Sequence, residues 1–381
     1  SPLVVDSNGW MVQFVELSTK GRISFMTKLL DGKRIVVTGG TGSLGKTLVK
    51  RLLSGEHGTP SSVVVFSRDE AKQHDMRMSY LQKRIATEEI TYHNFERTLQ
   101  FVIGDIRDFH SVAQVLVNAD IVVNAAALKQ VPSSEYFPYE AVQTNVIGAE
   151  NIVRAITELR LPVETVLGIS TDKACKPTTA MGMTKAVQER IFLSANLRYP
   201  LTRFIAVRYG NVLASRGSVV PLFIDQIRNG GPVTITDPRM TRFLLSLEKA
   251  VDTVIDALIH AKRGEILIPR VPAALITDLA TALIGDQKIK QEVIGLRPAE
   301  KLHESLISEE EATRTEQRGE YFAVLSLLPE IAQTTPSKPA LSGELSSENF
   351  VMTYDQTKEL LRSNGLLNLD AQKSIAQEIL R

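Results

Sequence analysis

Arg34-Ile-Val-Val-Thr-Gly-Gly-Thr-Gly-Ser-Leu-Gly45 is the stretch that decides the fold. Its first five residues are a β-branched run, which is typical of a buried strand in a parallel sheet. A glycine cluster follows directly, and Gly55 marks the end of the next segment. Within that segment apolar residues recur at helical spacing, at Leu44, Leu48, Val49, Leu52 and Leu53. The stretch therefore predicts a strand, a tight turn and an α-helix, in that order.

The same alternation continues along the chain to about Arg208. Strand-like runs occupy residues 62–66, 99–103, 121–124, 165–169 and 204–208. Helix-like segments occupy residues 69–86, 108–117, 140–158 and 181–195. Because such alternation implies right-handed crossovers between parallel strands, the sequence predicts an α/β fold with a Rossmann-type doubly wound parallel sheet.

The composition excludes several classes of protein. In 381 residues, 44 Lys and Arg face 43 Asp and Glu, a formal net charge of +1, which argues against a dedicated nucleic-acid binder. The one cysteine, Cys175, allows no internal disulfide, and the six histidines form no metal-binding motif, so no metal site is predicted. We find neither the ~18 apolar residues of a membrane span nor a signal peptide, and we expect a soluble, cytoplasmic protein.

The glycine cluster predicts a dinucleotide site. Gly39, Gly42 and Gly45 have the spacing GxxGxxG, a variant of the fingerprint that lets a backbone approach a pyrophosphate at a helix N-terminus. A tight turn without a ligand gives a similar cluster, but the position in the first βα unit favours a cofactor. The cofactor contacts predicted in this turn are Gly39, Thr41, Gly42, Ser43, Leu44 and Gly45.

The end of the second strand distinguishes between two cofactors. An NAD enzyme typically places an acidic side chain there to bind the ribose, whereas this chain has Ser67 and Arg68, with Lys72 one turn further on. A hydroxyl and two cations suit a 2′-phosphate, so NADP is predicted; NAD is the alternative, with Asp69 on the ribose. Further cofactor contacts are predicted at Asp105, Ile106, Ala125, Ala126, Ala127 and Lys185.

Longer motifs give a more specific indication. They are Ala125–Pro132, Thr171–Lys173, Arg208–Val212, Ser215–Val219, Thr234–Pro238, Met240–Phe243 and Arg297–Glu304. Together they resemble extended short-chain dehydrogenases/reductases that modify nucleotide sugars, and more closely the UDP-N-acetylglucosamine 4,6-dehydratases of bacterial surface-polysaccharide synthesis. The resemblance runs from about Lys33 to Ile307. It implies a UDP-sugar substrate and a homo-oligomer, a hexamer in many relatives.

The resemblance also implies catalytic residues. In a 4,6-dehydration a hydride leaves C4 for NADP⁺ and returns to C6, while a base removes the C5 proton and an acid helps the 6-hydroxyl leave. By resemblance Asp172 would be the acid and Lys173 the base, with Thr171 beside them. Asp172 must keep a proton and Lys173 must lose one, which burial and mutual proximity have to supply. From the pattern alone, an exposed turn with a solvated ion pair is the alternative.

One position departs from the superfamily pattern. The usual general base is a Tyr four residues before Lys185, but this chain has Met181, which cannot accept a proton. This argues against a Tyr-driven epimerase and matches the soluble capsule-type dehydratases that also invert C5. Our hypothesis is that Lys185, or Lys173 through a water and Thr171, deprotonates O4. A dehydratase that retains C5 and a non-catalytic NADP-binding protein are the alternatives.

Substrate contacts are predicted mainly after residue 210. Planar arginine forks suit a diphosphate, a carboxylate suits ribose hydroxyls, and an amide suits a phosphate or acetamido group. The predicted contacts are Lys129, Asn211, Arg216, Arg242, Arg297 and Glu300.

The chain is accordingly divided into four predicted regions. They are an N-terminal extension (1–30), an NADP-binding Rossmann domain (31–210), a mainly substrate-binding region (211–328) and a C-terminal arm with helices (329–381). A helix near 247–261 is expected to return to the Rossmann domain. In the arm, Thr353 and Gln356 fit a capping box for a short helix that stops at Asn364-Gly365.

Overall fold

The computed structural model describes residues 29–82, 95–213, 215, 217–332 and 339–368, together with the backbone of two short strands near the N-terminus, Val4–Val5 and Met11–Val12, which pair antiparallel. Most of the predicted N-terminal extension, the end of the C-terminal arm and Arg216 lie outside the described residues.

Six parallel strands form the larger part of a nine-stranded central sheet. They are β1 (Arg34–Thr38), β2 (Ser62–Ser67), β3 (Leu99–Ile103), β4 (Ile121–Asn124), β5 (Thr165–Thr171) and β6 (Arg203–Tyr209). Their spatial order is 3-2-1-4-5-6, the doubly wound arrangement that the alternation predicted. The order reverses between β1 and β4, and ligands of such sheets bind in the crevice at that point.

Helices cover both faces of the sheet. They are α1 (Ser43–Leu53), α2 (Glu70–Gln82), α3 (Phe109–Leu116), α4 (Val131–Tyr136), α5 (Pro138–Ala141), a π-helical segment (Val142–Ile147), α6 (Gly148–Leu159) and α7 (Ala180–Arg198). One core cluster contains Leu48 of α1, and a second contains Ile152 of α6 and Phe192 of α7. The helix predicted over 140–158 is thus interrupted at its start, since residues 142–147 are wound as a π-helix.

The remaining part of the chain contributes shorter elements. In chain order these are β7 (Asn211–Val212), α8 (Val219–Arg228), β8 (Val233–Ile235), β9 (Thr241–Leu245), α9 (Leu247–His260), β10 (Ile266–Pro269), β11 (Ala273–Leu275), α10 (Ile276–Ile284), β12 (Gln291–Val293), β13 (Ser305–Ile307), α11 (Glu309–Ala312), β14 (Thr315–Arg318), β15 (Tyr321–Val324), β16 (Leu345–Ser346) and α12 (Tyr354–Ser363). Thr353 and Gln356 form the predicted capping box of α12, which ends at Ser363 with Asn364 as its C-cap. None of the helices in the described part of the chain is both long and apolar enough to cross a bilayer.

The central sheet continues past the predicted domain boundary at residue 210. Strand β10 pairs parallel with β6, and β15 and β14 extend the same edge antiparallel. Helix α9 packs on α1, so this helix does return to the first region. Other elements of this part of the chain, among them α8 and α10, form a third core cluster around Phe223 and Leu279. The predicted boundary remains a prediction, but the two regions share one sheet.

A buried ion cluster joins three of these elements. Arg208 of β6 donates to Glu189 of α7 and to Glu311 of α11, at 2.7 Å in each case. The Arg208 guanidinium also donates to the Leu306 carbonyl at 2.8 Å. Breaking such a fully buried pair leaves an uncompensated charge, which costs several kcal/mol. The cluster therefore holds residues 306–311 against β6 and α7.

Candidate active site

The glycine turn is shaped by close backbone contacts. Gly39 has φ of 65°, and a Cβ there would lie 2.7 Å from the Ala126 nitrogen. A Cβ on Gly45 would lie 2.5 Å from the Gly40 Cα. Gly42 is the N-cap of α1 and provides no side-chain cap, so the N–H groups of the first helical turn are left for another acceptor. This is a cradle that suits an anionic group.

A cavity of about 1040 Å³ opens beside the turn, and most of the predicted cofactor residues line it. These are Gly39, Thr41, Gly42, Ser43, Ser67, Arg68, Lys72, Ile106, Ala125, Ala126 and Ala127. Leu44, Gly45 and Lys185 instead line an adjoining cavity of about 410 Å³. Asp105 lines neither cavity, because its carboxylate accepts hydrogen bonds from the Arg107 backbone and guanidinium. Lys46 and Lys50 also line the larger cavity, although neither was predicted from the sequence.

The polar residues at the end of β2 interact with other side chains of the protein. The Ser67 hydroxyl accepts a hydrogen bond from Gln73 at 3.0 Å. Lys72 forms an ion pair with Asp69 at 2.8 Å, and half-exposed Arg68 lies 3.7 Å from Asp105. Arg68 and Lys72 therefore line the cavity, where a 2′-phosphate would share them with carboxylates.

The five predicted catalytic residues meet at the smaller cavity. Thr171 ends β5, Asp172 and Lys173 follow it, and Met181 and Lys185 lie four residues apart on α7. Side chains at that spacing share one face of a helix, which is why both reach the same cavity.

Asp172 and Lys173 form a close pair. The Lys173 Nζ lies 3.1 Å from the Asp172 Oδ1, which also accepts a hydrogen bond from the Thr171 hydroxyl at 2.8 Å. The Asp172 side chain is 1% exposed, and its Oδ2 is buried without a hydrogen-bond partner. A buried oxygen of this kind is costly unless a ligand supplies a partner. The predicted alternative of an exposed, solvated ion pair is therefore wrong for Asp172.

The two lysines differ in protonation. Burial acts to lower the pKa of Lys173, but the charges of Asp172 and then Glu304 outweigh burial and leave this pKa raised. Lys173 therefore keeps its proton in this structure, whereas the sequence analysis required it to lose one. Burial lowers the pKa of Lys185 to about 8, and the charge of Glu189 opposes this shift without cancelling it. The Lys185 Nζ donates to the Ile169 carbonyl and to Gln188.

Tyr209 is a wall residue that the sequence analysis missed. It ends β6 and lines the smaller cavity together with Met181. Burial raises the pKa of Tyr209, which keeps its hydroxyl protonated and makes it a donor rather than a base. Because apolar and aromatic residues at strand ends serve packing in most proteins, the sequence carried no signal for this position.

The Asn145 side chain holds the loop that precedes Lys129 in place. Its side chain donates to the Leu128 carbonyl and to Thr184, at 3.0 Å each, and accepts from the Leu128 nitrogen at 2.8 Å. Asn145 belongs to the π-helical segment, a geometry that often occurs at functional sites. The loop that carries Lys129 to both cavities is thus fixed to α7.

The predicted substrate residues separate into two groups. Asn211, Arg297 and Lys129 line the smaller cavity. The Asn211 Oδ1 and the Ser218 hydroxyl are buried there without hydrogen-bond partners, as expected of groups that await a polar ligand. Ser218 is a further residue that the sequence analysis missed.

Arg242 and Glu300 line neither cavity. The Arg242 guanidinium donates to the carbonyls of Thr241, Lys301 and Leu302 at 2.7 to 3.1 Å, and lies 3.6 Å from Glu300. Since its N–H groups are directed at this loop, the predicted contact of Arg242 with a diphosphate is not favoured by its geometry. Among the described residues, no group of His, Cys, Asp and Glu side chains suits a metal ion.

The fold and the two joined cavities define a class of protein: an extended Rossmann-type chain with a dinucleotide cradle and a polar pocket at the ends of β5 and β6. Residues 35–326 match the family described as polysaccharide biosynthesis protein, and the chain belongs to that family. The UDP-glucose 4-epimerase of Rickettsia bellii strain OSU 85-389 is 42% identical over 350 residues, which cover 89% of this chain and 96% of that protein.

Solved structures of other proteins have a similar fold. Pen from Bacillus thuringiensis is similar at 33% identity with a TM-score of 0.78, covering 89% of this chain and 99% of that chain. The dTDP-glucose 4,6-dehydratase DesIV from Streptomyces venezuelae, solved with NAD and TYD bound, has a TM-score of 0.59 at 19% identity and covers 87% and 97% of the two chains. At that identity the likeness to DesIV is one of fold alone.

Proposed function

We propose that the protein is an NADP-dependent 4,6-dehydratase of UDP-N-acetylglucosamine that inverts C5 and supplies surface-polysaccharide synthesis. The observation that carries this proposal is the Asp172–Lys173 pair at the wall of the smaller cavity, with a buried Asp172 oxygen that has no protein partner. An acid and a base side by side are what a 4,6-elimination requires, whereas a 4-epimerisation has no proton to move at C5 or at O6.

The cofactor residues fit a nicotinamide dinucleotide. The close contacts at Gly39 and Gly45 and the uncapped start of α1 suit a pyrophosphate. Arg68 and Lys72 support NADP over NAD, although each lies beside a carboxylate. When bound, a nicotinamide accepts a hydride from sugar C4 and returns it to C6. Titration calorimetry with NADP⁺ and NAD⁺ tests this preference, and tighter NAD⁺ binding would contradict it.

Each proton transfer is assigned to one residue of the chain. Asp172 protonates the leaving 6-hydroxyl, and Lys173 removes the C5 proton. Lys185, whose pKa burial lowers to about 8, is the better candidate for taking the 4-hydroxyl proton, because a fraction of it is a free amine near neutral pH. Met181 cannot perform that transfer.

Polar residues of the smaller cavity support a sugar-nucleotide substrate. Asn211 and Ser218 offer buried, unpartnered oxygens, and Arg297 and Lys129 add positive charge at the same wall. We infer that these groups hold the acetamido sugar and the diphosphate. Homo-oligomeric assembly is inferred from the family resemblance alone, and light scattering after size-exclusion chromatography tests it.

A 4-epimerase is the second candidate, because curated relatives at 42% identity have that name. Met181 argues against a 4-epimerase, because the Tyr-driven epimerases have a tyrosine at this position. A dehydratase that retains C5 is a variant of the main proposal, and a non-catalytic NADP-binding protein is the remaining alternative.

One assay separates these candidates. The protein is incubated with UDP-N-acetylglucosamine and NADP⁺ in deuterated water, and the sugar is followed by mass spectrometry and proton NMR. We expect loss of one water and deuterium at C5, with couplings of the inverted epimer. Couplings of the original epimer would indicate retention, an isomer of unchanged mass would indicate the epimerase, and an unchanged sugar would contradict enzymatic action on this substrate.

The variant Asp172→Asn identifies the acid. It should still exchange C5 hydrogen for deuterium but should lose water at least ~100-fold more slowly, the usual contribution of a positioned acid. Asp286→Asn, at an exposed position outside both cavity walls, is the matched control.

A further inference from the structure

Glu304 lies beside Lys173, although the two residues are far apart in the sequence. The Glu304 side chain is 4% exposed, and its Oε1 lies 3.3 Å from the Lys173 Nζ. The Asp172 Oδ1 lies 3.1 Å from the same nitrogen. The ammonium of Lys173 is therefore shared between two buried carboxyl groups, of which only Asp172 belongs to the predicted catalytic set.

Several contacts hold Glu304 in this place. Its backbone nitrogen donates to the Ser347 hydroxyl at 3.0 Å, and the Ser347 nitrogen donates to the Glu304 carbonyl at 2.8 Å. Strand β13 begins at the next residue and pairs with β16, which precedes Ser347. The Glu304 Oε2 is buried without a hydrogen-bond partner, with the Lys301 Nζ 3.7 Å away. The Glu304 carboxyl group is thus fixed through its backbone and lies near two lysines, of which Lys173 is the nearer.

The charges around Lys173 give Glu304 a specific effect. Burial and the charge of Arg242 lower the pKa of Lys173, while Asp172 and Glu304 raise it. When Asp172 carries the proton that it delivers to O6, its negative charge is absent. Glu304 is then the carboxylate that still holds Lys173 as an ammonium, and Lys301 and Arg242 are the cations that oppose it.

We propose that Glu304 is a positioning residue that aims the Lys173 Nζ at the cleft and, through its negative charge, sets the pH above which Lys173 can take the C5 proton. In that step the C5–H bond breaks, its electron pair enters the enolate of the 4-ketone, and a new N–H bond forms on Lys173. The inference rests on the proposed dehydratase function.

The experiment isolates this step from the others. The 4-keto-6-deoxy product, made with the wild-type protein and purified, is returned to enzyme in deuterated water, and C5 exchange is measured by NMR against pH. This exchange needs neither deprotonation of O4 nor hydride transfer. The part of the pH profile in which the exchange rate rises with pH, its acid limb, therefore reports the protonation of the base at C5. Samples without enzyme give the background rate.

Glu304→Gln should move that acid limb to lower pH by roughly 1 unit, since a nearby opposite charge shifts a pKa by about 1 to 3 units. Exchange on the acid limb then rises about tenfold, whereas the maximal rate and the KM for the product stay near wild type, because glutamine keeps the size of the side chain and the Lys173 Nζ keeps its hydrogen bond to Asp172. Glu304→Asp keeps the charge and should leave the limb within a fraction of a unit of wild type. Glu348→Gln removes a half-exposed carboxylate that pairs with His303, and should leave the limb in place.

The outcomes are distinct. A wild-type protein that neither removes water nor exchanges C5 contradicts the proposed function, and this inference with it. A working wild type with an unshifted limb in Glu304→Gln overturns the inference alone, and so does a folded Glu304→Gln, checked by thermal melting and NADP⁺ binding, whose exchange is lost at every pH. If Glu304→Gln does not fold, Glu304→Asp decides: a limb that moves to higher pH, or exchange lost throughout, overturns the inference.

Discussion

Lys173 and Lys185 line the same cavity but lie in opposite electrostatic surroundings. Lys173 has two carboxyl groups within 3.3 Å of its Nζ, and its pKa is raised. Lys185 has a backbone carbonyl and an amide oxygen as partners, and burial lowers its pKa to about 8. The Lys173 amine is thus kept protonated, whereas the pKa of the Lys185 amine is lowered toward neutral pH. The neighbouring groups, and not the residue type, therefore decide which lysine can act as a base.

The comparison also orders the chemistry. In the proposed dehydration, a base that is already partly neutral suits the first proton transfer, from the 4-hydroxyl. A base that is held charged suits a later transfer, after substrate and an acidic Asp172 have changed its surroundings. Replacing each lysine by an uncharged side chain, and changing the residue one turn before Lys185, test this division of labour.

The largest effect is expected for Lys173→Met. Water loss should fall about 10³-fold, within the range of a positioned general base, while the first half-reaction still reduces the cofactor. Stopped-flow absorbance of the reduced nicotinamide and product mass measure the two steps. Lys176→Met, a half-exposed lysine paired with Glu344, is the matched control and should keep wild-type rates. If Lys173→Met stopped cofactor reduction as strongly as water loss, the two lysines would not have separate tasks.

A smaller loss, about 10²-fold, is expected for Lys185→Met, and it should appear already in cofactor reduction. In the wild type the rate of that step should rise with pH, because the pKa of Lys185 is lowered to about 8 and the ammonium that predominates below it cannot accept a proton. Above this pH the rate should level off. The variant should lack the rise. A wild-type rate that is flat through pH 8 would assign the first transfer to another group.

The smallest effect is expected for Met181→Tyr. If Lys185 takes the O4 proton, a phenol at position 181 adds little, and turnover should change far less than the roughly 100-fold of a newly working general base. Single-turnover rates measure this, and thermal melting accounts for strain, since Met181 is buried. A large gain in rate would show that the native site lacks an efficient base for O4.

Local patterns predicted most of the fold. The β-branched runs and the glycine turn gave β1 to β6 and the cradle, because a buried parallel strand needs continuous apolar residues and a close backbone approach needs glycine. The last two strands of the sheet, β15 and the edge strand β14, were missed, since both are only four residues long and lie outside the alternation of strands and helices.

For the site, neighbours along the chain were predictable and distant partners were not. The superfamily pattern pointed to Met181 and Lys185, which lie on α7 within the predicted helical segment, and Asp172 and Lys173 follow the end of a predicted strand. Glu304 was missed because its partner lies in another part of the chain. The raised pKa of Lys173 was not predicted, because the charge of Asp172, with that of Glu304 added, outweighs burial.

The bond between Glu304 and Ser347 has a consequence for the newly made protein. The Rossmann strands, the glycine cradle and both lysines are complete by residue 209, yet the loop that carries Glu304 is secured by β16 and Ser347. We therefore expect the contact between Glu304 and Lys173 to form only after the segment that includes Ser347 has been synthesised. About the last fifth of the chain to be synthesised, from Glu304 onward, would therefore complete the surroundings of Lys173.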